Sequence, residues 1–256
     1  LSPYEKEKGS TDAWCETWIH TIHQWFMKNK NYSTLAMRSV FKKIARSTRE
    51  VQIQRTDKIK VGVVGEIYVK FSPMGNNDLK AFLESQDCEV NMPGVMGYVE
   101  YCIANFALDI EYYGGKKYMQ IIWKMGLAIL DSLNSSMRKS MERYGFTGPG
   151  SFKKLMDGTK GIIHLGAKMG EGWLLSGEMV ELLRTGYPNI ICAQPFGCLP
   201  NHIMGKGVVN VLREKYPESN IAAIDYDPSA TKVNQENRIK LMLAVAKENM
   251  KKGQEK

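Results

Sequence analysis

The residues best suited to chemistry lie in the loop at 195–202, which follows a predicted buried strand at 189–194. Cys198 lies between Pro195 and Pro200, directly after Gly197, and His202 follows four residues later. A cysteine in such a loop can be a catalytic thiolate, a zinc ligand or an iron–sulfur ligand. A nucleophile needs a nearby base, and His202 is a candidate. A closed metal site needs about four ligands. The sequence groups no such set near Cys198, so a metal there would need ligands from elsewhere.

Three other loops hold acidic residues, asparagines and glycines that could transfer a proton or bind an anion. Backbone N–H groups at a helix start favour anions, although a glycine-rich turn is equally a tight connection and asparagines are also good helix caps. The glycine spacing at 166–172 matches neither the dinucleotide fingerprint nor the P-loop. Our candidate catalytic residues are Glu66, Glu171 and His202, and our candidate substrate or anion ligands are Asn76, Asn77, Gly170, Gly172 and Asp225.

Short β-branched apolar runs alternate with amphipathic helical segments from residue 58 onward. The predicted strands are 58–65, 88–92, 161–165, 189–194 and 220–225. This alternation indicates βαβ units and a parallel sheet. We therefore predict an α/β fold over residues 58–256, a flavodoxin-like doubly wound parallel sheet with a large helical insertion at about 95–145 and an N-terminal helical prefix over 1–57.

The predicted topology gathers the candidate loops at one place. Ligands of an open parallel sheet bind beyond the carboxyl ends of its strands. We therefore expect one edge of the sheet to carry Glu66, Asn77, Glu171, Cys198 and Asp225.

Positive charge is concentrated in the prefix. Residues 1–60 hold 12 Lys and Arg against 6 Asp and Glu, and the whole chain has a net charge of +8. Arg38, Lys42, Arg46 and Arg49 are three or four residues apart and share a face of one predicted helix. Such a stripe is typical of a solvated helix face, and docking on an acidic neighbour is the next interpretation. Base-reading motifs are lacking, so we expect no nucleic-acid partner.

Composition narrows the class of protein. The chain of 256 residues is 43% hydrophobic and 24% charged, which excludes a disordered tail or a collagen-like repeat. No apolar run is long enough to span a membrane, so no membrane partner is expected. Five cysteines at irregular spacing predict thiols in a reducing cytoplasm rather than a disulfide framework. The chain begins at Leu1 without a signal-peptide pattern, so we expect it to belong to a longer cytoplasmic protein.

Several motifs resemble one known family. They are VGVVGEIYVKFSPMGNN at 61–77, GEGW at 170–173, QPFGCLPNH at 194–202, GKG at 205–207, and AIDYDP at 223–228 followed by NQENRIKLML at 234–243. Together they resemble the C-terminal end of the acyl-CoA dehydratase activase-related proteins, which are similar to subunits of 2-hydroxyglutaryl-CoA dehydratase and benzoyl-CoA reductase. The resemblance covers about residues 58–246.

The resemblance implies a specific chemistry. In that family two flavodoxin-like domains hold an iron–sulfur cluster between them, and an activase uses ATP to drive one electron onto the cluster for radical chemistry on a CoA thioester. Cys198 matches a cluster cysteine, and Cys192 is a candidate second ligand. The expected partners are upstream cluster-binding and activase domains, with an acyl-CoA as candidate substrate and ATP bound only by the activase. A non-catalytic docking domain and a thiol enzyme using Cys198 and His202 are the alternatives.

Overall fold

The computed structural model describes residues 1–29, 33–227, 229 and 231–254, which form two compact units. The helical unit comprises residues 1–57 and 128–151, and the α/β unit comprises residues 58–127 and 152–256. The predicted boundary after residue 57 coincides with a unit boundary. Residues 128–145, predicted to belong to the insertion of the α/β domain, group instead with the prefix.

The α/β unit is built on a parallel sheet of four strands in the order β2-β1-β3-β4. The strands are β1 (Ile59–Gly65), β2 (Cys88–Asn91), β3 (Asn189–Pro195) and β4 (Asn220–Tyr226). In the register Val61 is opposite Val90 on one side and Asn189 on the other, and Cys192 is opposite Ala223. The two central strands are almost entirely buried, as continuous apolar runs predict for a parallel sheet covered on both faces. The α/β class and the parallel sheet are confirmed.

Eleven α-helices are present within the described residues. They are α1 (Ser10–Asn29), α2 (Thr34–Ser47), α3 (Ile67–Phe71), α4 (Pro73–Asn76), α5 (Leu79–Ser85), α6 (Val95–Tyr113), α7 (Lys117–Glu142), α8 (Phe152–Thr159), α9 (Trp173–Arg184), α10 (Val209–Lys215) and α11 (Lys232–Gln254). Short 3-10 helices cover Ser2–Tyr4 and Thr48–Glu50, and a π-helix covers Asn201–Lys206. Across the described part of the chain, no helix has both the length and the apolar character needed to cross a membrane.

Helices cover both faces of the sheet. On one face Val61 and Val63 of β1 pack in a cluster with Leu83 of α5 and Leu243 of α11. On the other face the cluster around Cys192 of β3 draws mainly on α9 and α10. A third cluster joins α6, α8 and the start of α9 around Trp173, which is fully buried. These clusters fix the strands, and through them the loops at the carboxyl ends of the strands.

The predicted strand at 161–165 is wrong. After α8 the chain makes turns, with the backbone N–H groups of Ile162 and Ile163 donating to the carbonyl of Thr159 at 2.8 and 3.0 Å. The run is apolar because Leu165 is buried in the cluster around Trp173, with Ile163 packed against it. A short apolar run reports burial but does not distinguish a strand from a buried turn. The sheet therefore has four strands among the described residues instead of the predicted five.

Candidate functional site

The loop after β1 is tied to the neighbouring strand β3. The backbone N–H of Glu66 donates to the carbonyl of Ala193 at 3.0 Å. The Glu66 side chain accepts a hydrogen bond from the Val69 N–H at 2.8 Å and so caps α3. This contact gives Glu66 a structural role at the carboxyl edge of the sheet, where it was predicted as a catalytic carboxylate.

Glu171 joins three loops at this edge. Its buried carboxylate accepts from the Ile67 backbone N–H at 3.1 Å through Oε1 and from Asn201 Nδ2 at 3.2 Å through Oε2. The expected position of Glu171 at the edge agrees with the structure, although no strand precedes its loop. The carboxylate reaches the edge because the loop 166–172 packs on the loop 195–202, where a Cβ on Gly170 would lie 3.1 Å from Cβ of Pro200.

The Cys198 sulfur lies beside a buried amide. Asn201 is fully buried, and its Nδ2 donates to Cys198 Sγ at 3.2 Å as well as to Glu171. Cys198 itself is half-buried. Hydrogen bonds thus connect the buried Glu171 carboxylate through Asn201 to the sulfur of the half-buried Cys198. Because the amide is held by Glu171, its N–H group is fixed in direction toward the sulfur.

The two ring nitrogens of His202 contact groups other than the Cys198 sulfur. Its Nδ1 donates to the backbone carbonyl of Cys198 at 2.8 Å. Its Nε2 lies 3.2 Å from Gln194 Nε2 and 3.3 Å from Asp225 Oδ1, and the Gln194 amide also donates to Asp225 at 2.6 Å. A neutral ring therefore accepts from Gln194, whereas a protonated ring donates to Asp225. The structure places Asp225, and not the Cys198 sulfur, beside His202 Nε2.

Asp225 and Asn77 meet through α11. The Asp225 carboxylate lies 3.8 Å from Arg238 Nη1, and its backbone carbonyl accepts from Gln235 Nε2 at 3.2 Å. Gln235 in turn accepts from Asn77 Nδ2 at 2.6 Å. The five residues expected at one edge, from Glu66 to Asp225, therefore lie on the loops and strand ends of that edge.

Asn76, predicted as an anion ligand, has its side chain engaged with the backbone. Its Nδ2 donates to the carbonyls of Val69 and Lys70 at 2.7 and 3.1 Å, and its Oδ1 accepts from the Leu79 N–H at 3.1 Å. The residue is buried. Because both polar atoms of its side chain are used in fixing α3 to α5, Asn76 stabilises the loop.

Gly170 and Gly172 shape a turn between the loop 166–172 and α9. Their φ angles are +59° and +45°. The Gly172 N–H already donates to the carbonyl of Met169 at 3.0 Å. The Tyr101 hydroxyl lies 2.7 Å from the carbonyl oxygen of Lys168 and 2.9 Å from that of Gly170, which holds the turn against α6. For Gly172 the tight-connection alternative is therefore the better interpretation.

A buried ion pair near the edge was missed by the sequence reasoning. Lys70 Nζ lies 3.1 and 3.0 Å from the two carboxylate oxygens of Glu178, and both residues are 3% exposed. Burial raises the pKa of Glu178 in spite of the opposing Lys70 charge. The available signal was a lone lysine in IYVKF and a lone glutamate in the apolar run WLLSGEMV. Both line a cavity of about 10 Å³, beside Tyr98 and Glu171.

The cysteines do not form a closed metal site. Among the residues that the structure describes, no group of three or more His, Cys, Asp or Glu side chains is arranged to hold a metal ion. Cys192 is fully buried in β3, and burial followed by nearby carboxylates raises its pKa to about 12. A Cβ on Gly205 would lie 2.8 Å from its sulfur, so the thiol is packed on all sides. Cys192 is therefore packed in the core between β3 and the helices α9 and α10, away from the surface where a second domain could reach it.

The residues present fit one thiolate of a shared site and not a complete one. Cys198 is half-buried and lies on the loop after β3, at the carboxyl edge of the described sheet. Comparisons with protein-family models, with curated proteins and with solved structures found no match to this chain.

Proposed function

We propose that the α/β unit is a flavodoxin-like domain that supplies Cys198 as one ligand of an iron–sulfur cluster completed by another domain. The observation that carries the proposal is the hydrogen bond from the buried Asn201 amide to Cys198 Sγ at 3.2 Å. Hydrogen bonds to cluster sulfurs are one of the ways in which proteins tune reduction potential. The motifs that resemble the dehydratase-related proteins include this cysteine and this asparagine.

The strand order supports the flavodoxin-like part of the proposal. The order β2-β1-β3-β4 is the start of the doubly wound order 2-1-3-4-5. In that arrangement ligands bind at the carboxyl edge near the β1 and β3 strands. Cys198 follows β3 and Glu66 follows β1, so both lie where the rule expects a ligand.

Apolar side chains beside Cys198 support a site that is shared with another domain. Phe196 and Leu199 are 71% and 67% exposed, and Met169 in the adjoining loop is 71% exposed. Large exposed apolar side chains grouped around a polar site are typical of an interaction surface. A second domain would cover them and bring the remaining ligands to Cys198. The same exposed apolar side chains also favour the alternative, a docking domain that binds no cluster.

The residues have distinct roles in this proposal. Cys198 binds iron, Asn201 orients and stabilises the sulfur, and Glu171 holds Asn201 in place. When bound, the cluster supplies one-electron transfer for radical chemistry on a CoA thioester. The partners would be cluster-binding and activase domains of the same polypeptide or complex, with ATP bound by the activase.

Anaerobic reconstitution with ferrous iron, sulfide and a small dithiol tests the proposal, because the dithiol can replace the missing ligands. We expect iron and sulfide to bind the native chain with a visible charge-transfer band. The Cys198→Ala variant is expected to lose that band, whereas Cys15→Ala, which removes an exposed cysteine of the helical unit, retains it. Equal bands in the native chain and the Cys198→Ala variant, or no band in either, would contradict the proposal and favour the docking domain.

A further inference from the structure

The helical unit contains a cleft of about 750 Å³ between α2 and the part of α7 after Ala128. We call it the basic cleft. The lining residues with charge are six cationic side chains and a single carboxylate: Arg38, Lys42, Lys43, Arg46, Lys139, Arg143 and Asp131. Nothing in the proposed function of the α/β unit uses this cleft.

The basic cleft is formed by two facing stripes. On α2 the stripe runs through Arg38, Lys42 and Arg46, each four residues from the next. On α7 it includes Ser132, Ser136 and Lys139, which share a face because they are four and three residues apart. Since both stripes line the same concavity, Arg38, Lys42 and Arg46 face a cleft, whereas Arg49 of the predicted stripe is not in its lining.

The cations of the cleft lack carboxylate partners. Over residues 1–29, 33–227, 229 and 231–254, none of the six lies within ion-pair distance of an acidic side chain. Arg38 donates to Ser132 Oγ at 2.7 Å through Nη2, but its buried Nε has no hydrogen-bond partner. Buried polar atoms are nearly always satisfied in folded proteins, so an acceptor oxygen of a ligand would complete the Arg38 side chain, and a hydroxyl donor would complete Asp131 Oδ1, which is also buried without a partner among the described residues.

The polar lining matches phosphate oxygens. Besides the cations, the cleft is lined by the five serines Ser39, Ser132, Ser135, Ser136 and Ser140. Phosphate oxygens accept charge-assisted hydrogen bonds from Arg and Lys and further hydrogen bonds from hydroxyl groups. Six positive charges exceed what one phosphate requires, and this excess favours a ligand with several phosphates.

The volume of the basic cleft and its few aromatic side chains favour a small ligand over a nucleic acid. Small-molecule sites are concave and about 300–1,000 Å³ in volume, a range that includes this cleft. Tyr144 is its one aromatic side chain, whereas proteins that bind single-stranded nucleic acid present successive aromatic rings on which the bases stack. We propose that the basic cleft binds a small ligand that carries a chain of phosphate groups, such as a nucleoside triphosphate or an inorganic polyphosphate.

Titration calorimetry of the whole chain with inorganic tripolyphosphate tests this assignment. We expect saturable binding to one site that weakens as salt is added, with orthophosphate binding at least about tenfold more weakly because it makes fewer charged contacts. ATP is expected to bind with an affinity close to that of tripolyphosphate if the phosphates dominate recognition.

A pair of matched double variants separates the cleft from the overall positive charge of the chain. Lys42→Gln/Arg46→Gln removes two lining cations and is expected to weaken tripolyphosphate binding by about a hundredfold, since each charged contact is worth about tenfold. Lys6→Gln/Lys8→Gln removes the same charge from exposed positions of the same unit outside the cleft, and its affinity should change less than about twofold. Circular dichroism of both variants verifies that the helices remain.

Three outcomes would overturn the assignment. Equal losses in the two double variants would show attraction by net charge alone. Orthophosphate binding as tightly as tripolyphosphate would remove the argument for a phosphate chain. Tighter binding of an oligothymidylate than of tripolyphosphate, lost in Lys42→Gln/Arg46→Gln, would make the cleft a nucleic-acid surface.

Discussion

Replacing Lys70 with Met is expected to destabilise the α/β unit by about 3–5 kcal/mol, because it leaves the Glu178 carboxylate buried without its cation. The two side chains are among the most buried charged groups of the described chain. Because Met retains most of the lysine volume, the change in stability reports the loss of the positive charge and not a loss of packing. Urea unfolding monitored by tryptophan fluorescence measures the loss, since Trp173 is fully buried in the same unit.

The free energy of unfolding lost in Lys70→Met should increase as the pH rises. Burial raises the pKa of Glu178, so the folded state binds this proton more tightly than the unfolded state. The stability that protonation contributes is fully present below the unfolded pKa and is lost as the pH rises through the folded value. Without Lys70 the ionised form of Glu178 is less stable in the folded protein. The loss of unfolding free energy in Lys70→Met is therefore greatest at neutral pH and smaller in acid.

Two further variants control the interpretation. Lys80→Met breaks an exposed i,i+4 pair with Glu84 and should cost less than about 1 kcal/mol. Lys70→Met/Glu178→Gln removes the orphaned charge and should recover at least half of the stability. If Lys70→Met costs no more than Lys80→Met at neutral pH, the buried pair is not the interaction described above.

Replacing Gly172 with Ala is expected to cost about 3–5 kcal/mol, from backbone strain and overpacking together. Gly172 has φ +45° and ψ −132°, a conformation that residues with a Cβ rarely adopt. A Cβ there would lie 2.4 Å from the backbone oxygen of Ala167 and 2.5 Å from the Tyr101 hydroxyl. Because the turn carries Glu171, the substitution should also displace the carboxylate that holds Asn201. Thermal unfolding measures the stability, and the reactivity of Cys198 reports the displacement.

Gly186→Ala is the matched control for the turn. Gly186 has φ +85°, but a Cβ added there would meet no atom within 4 Å, so only backbone strain of about 1 kcal/mol is expected. If the two alanine variants are equally stable, the close packing around Gly172 does not determine the turn.

The sequence predicts the sheet better than it predicts the roles of individual side chains. The runs at 58–65, 88–92, 189–194 and 220–225 correspond to the four strands, because β-branched apolar runs between helical segments are typical of buried parallel strands. The run at 161–165 has the same composition but is buried in a turn, and periodicity cannot distinguish the two. The grouping of residues 128–151 with the prefix depends on packing between distant segments, which a local pattern does not encode.

In the candidate site, too, the sequence predicts where residues lie better than it predicts what their side chains contact. The strand-end rule correctly expects Glu66, Cys198 and Asp225 near one edge, because topology alone determines which loops meet. It does not tell how each side chain is used. Both polar atoms of the Asn76 side chain form hydrogen bonds to the backbone, and the Cys192 side chain is buried in the core. Both features depend on tertiary packing. The orientation of His202 likewise follows from its contact with the Cys198 carbonyl, which sequence spacing does not reveal.

Timed alkylation with mass-spectrometric mapping, before and after anaerobic cluster reconstitution, shows whether Cys198 binds iron, because a sulfur bound to iron cannot react. We expect Cys198 to be labelled readily in the iron-free chain and at least about tenfold more slowly after iron and sulfide are bound. The exposed Cys15 should react equally in both samples, and the buried Cys192, whose pKa is raised to about 12, should stay unlabelled in both. If Cys198 is labelled at the same rate with and without bound iron, or only after unfolding, it is not a cluster ligand.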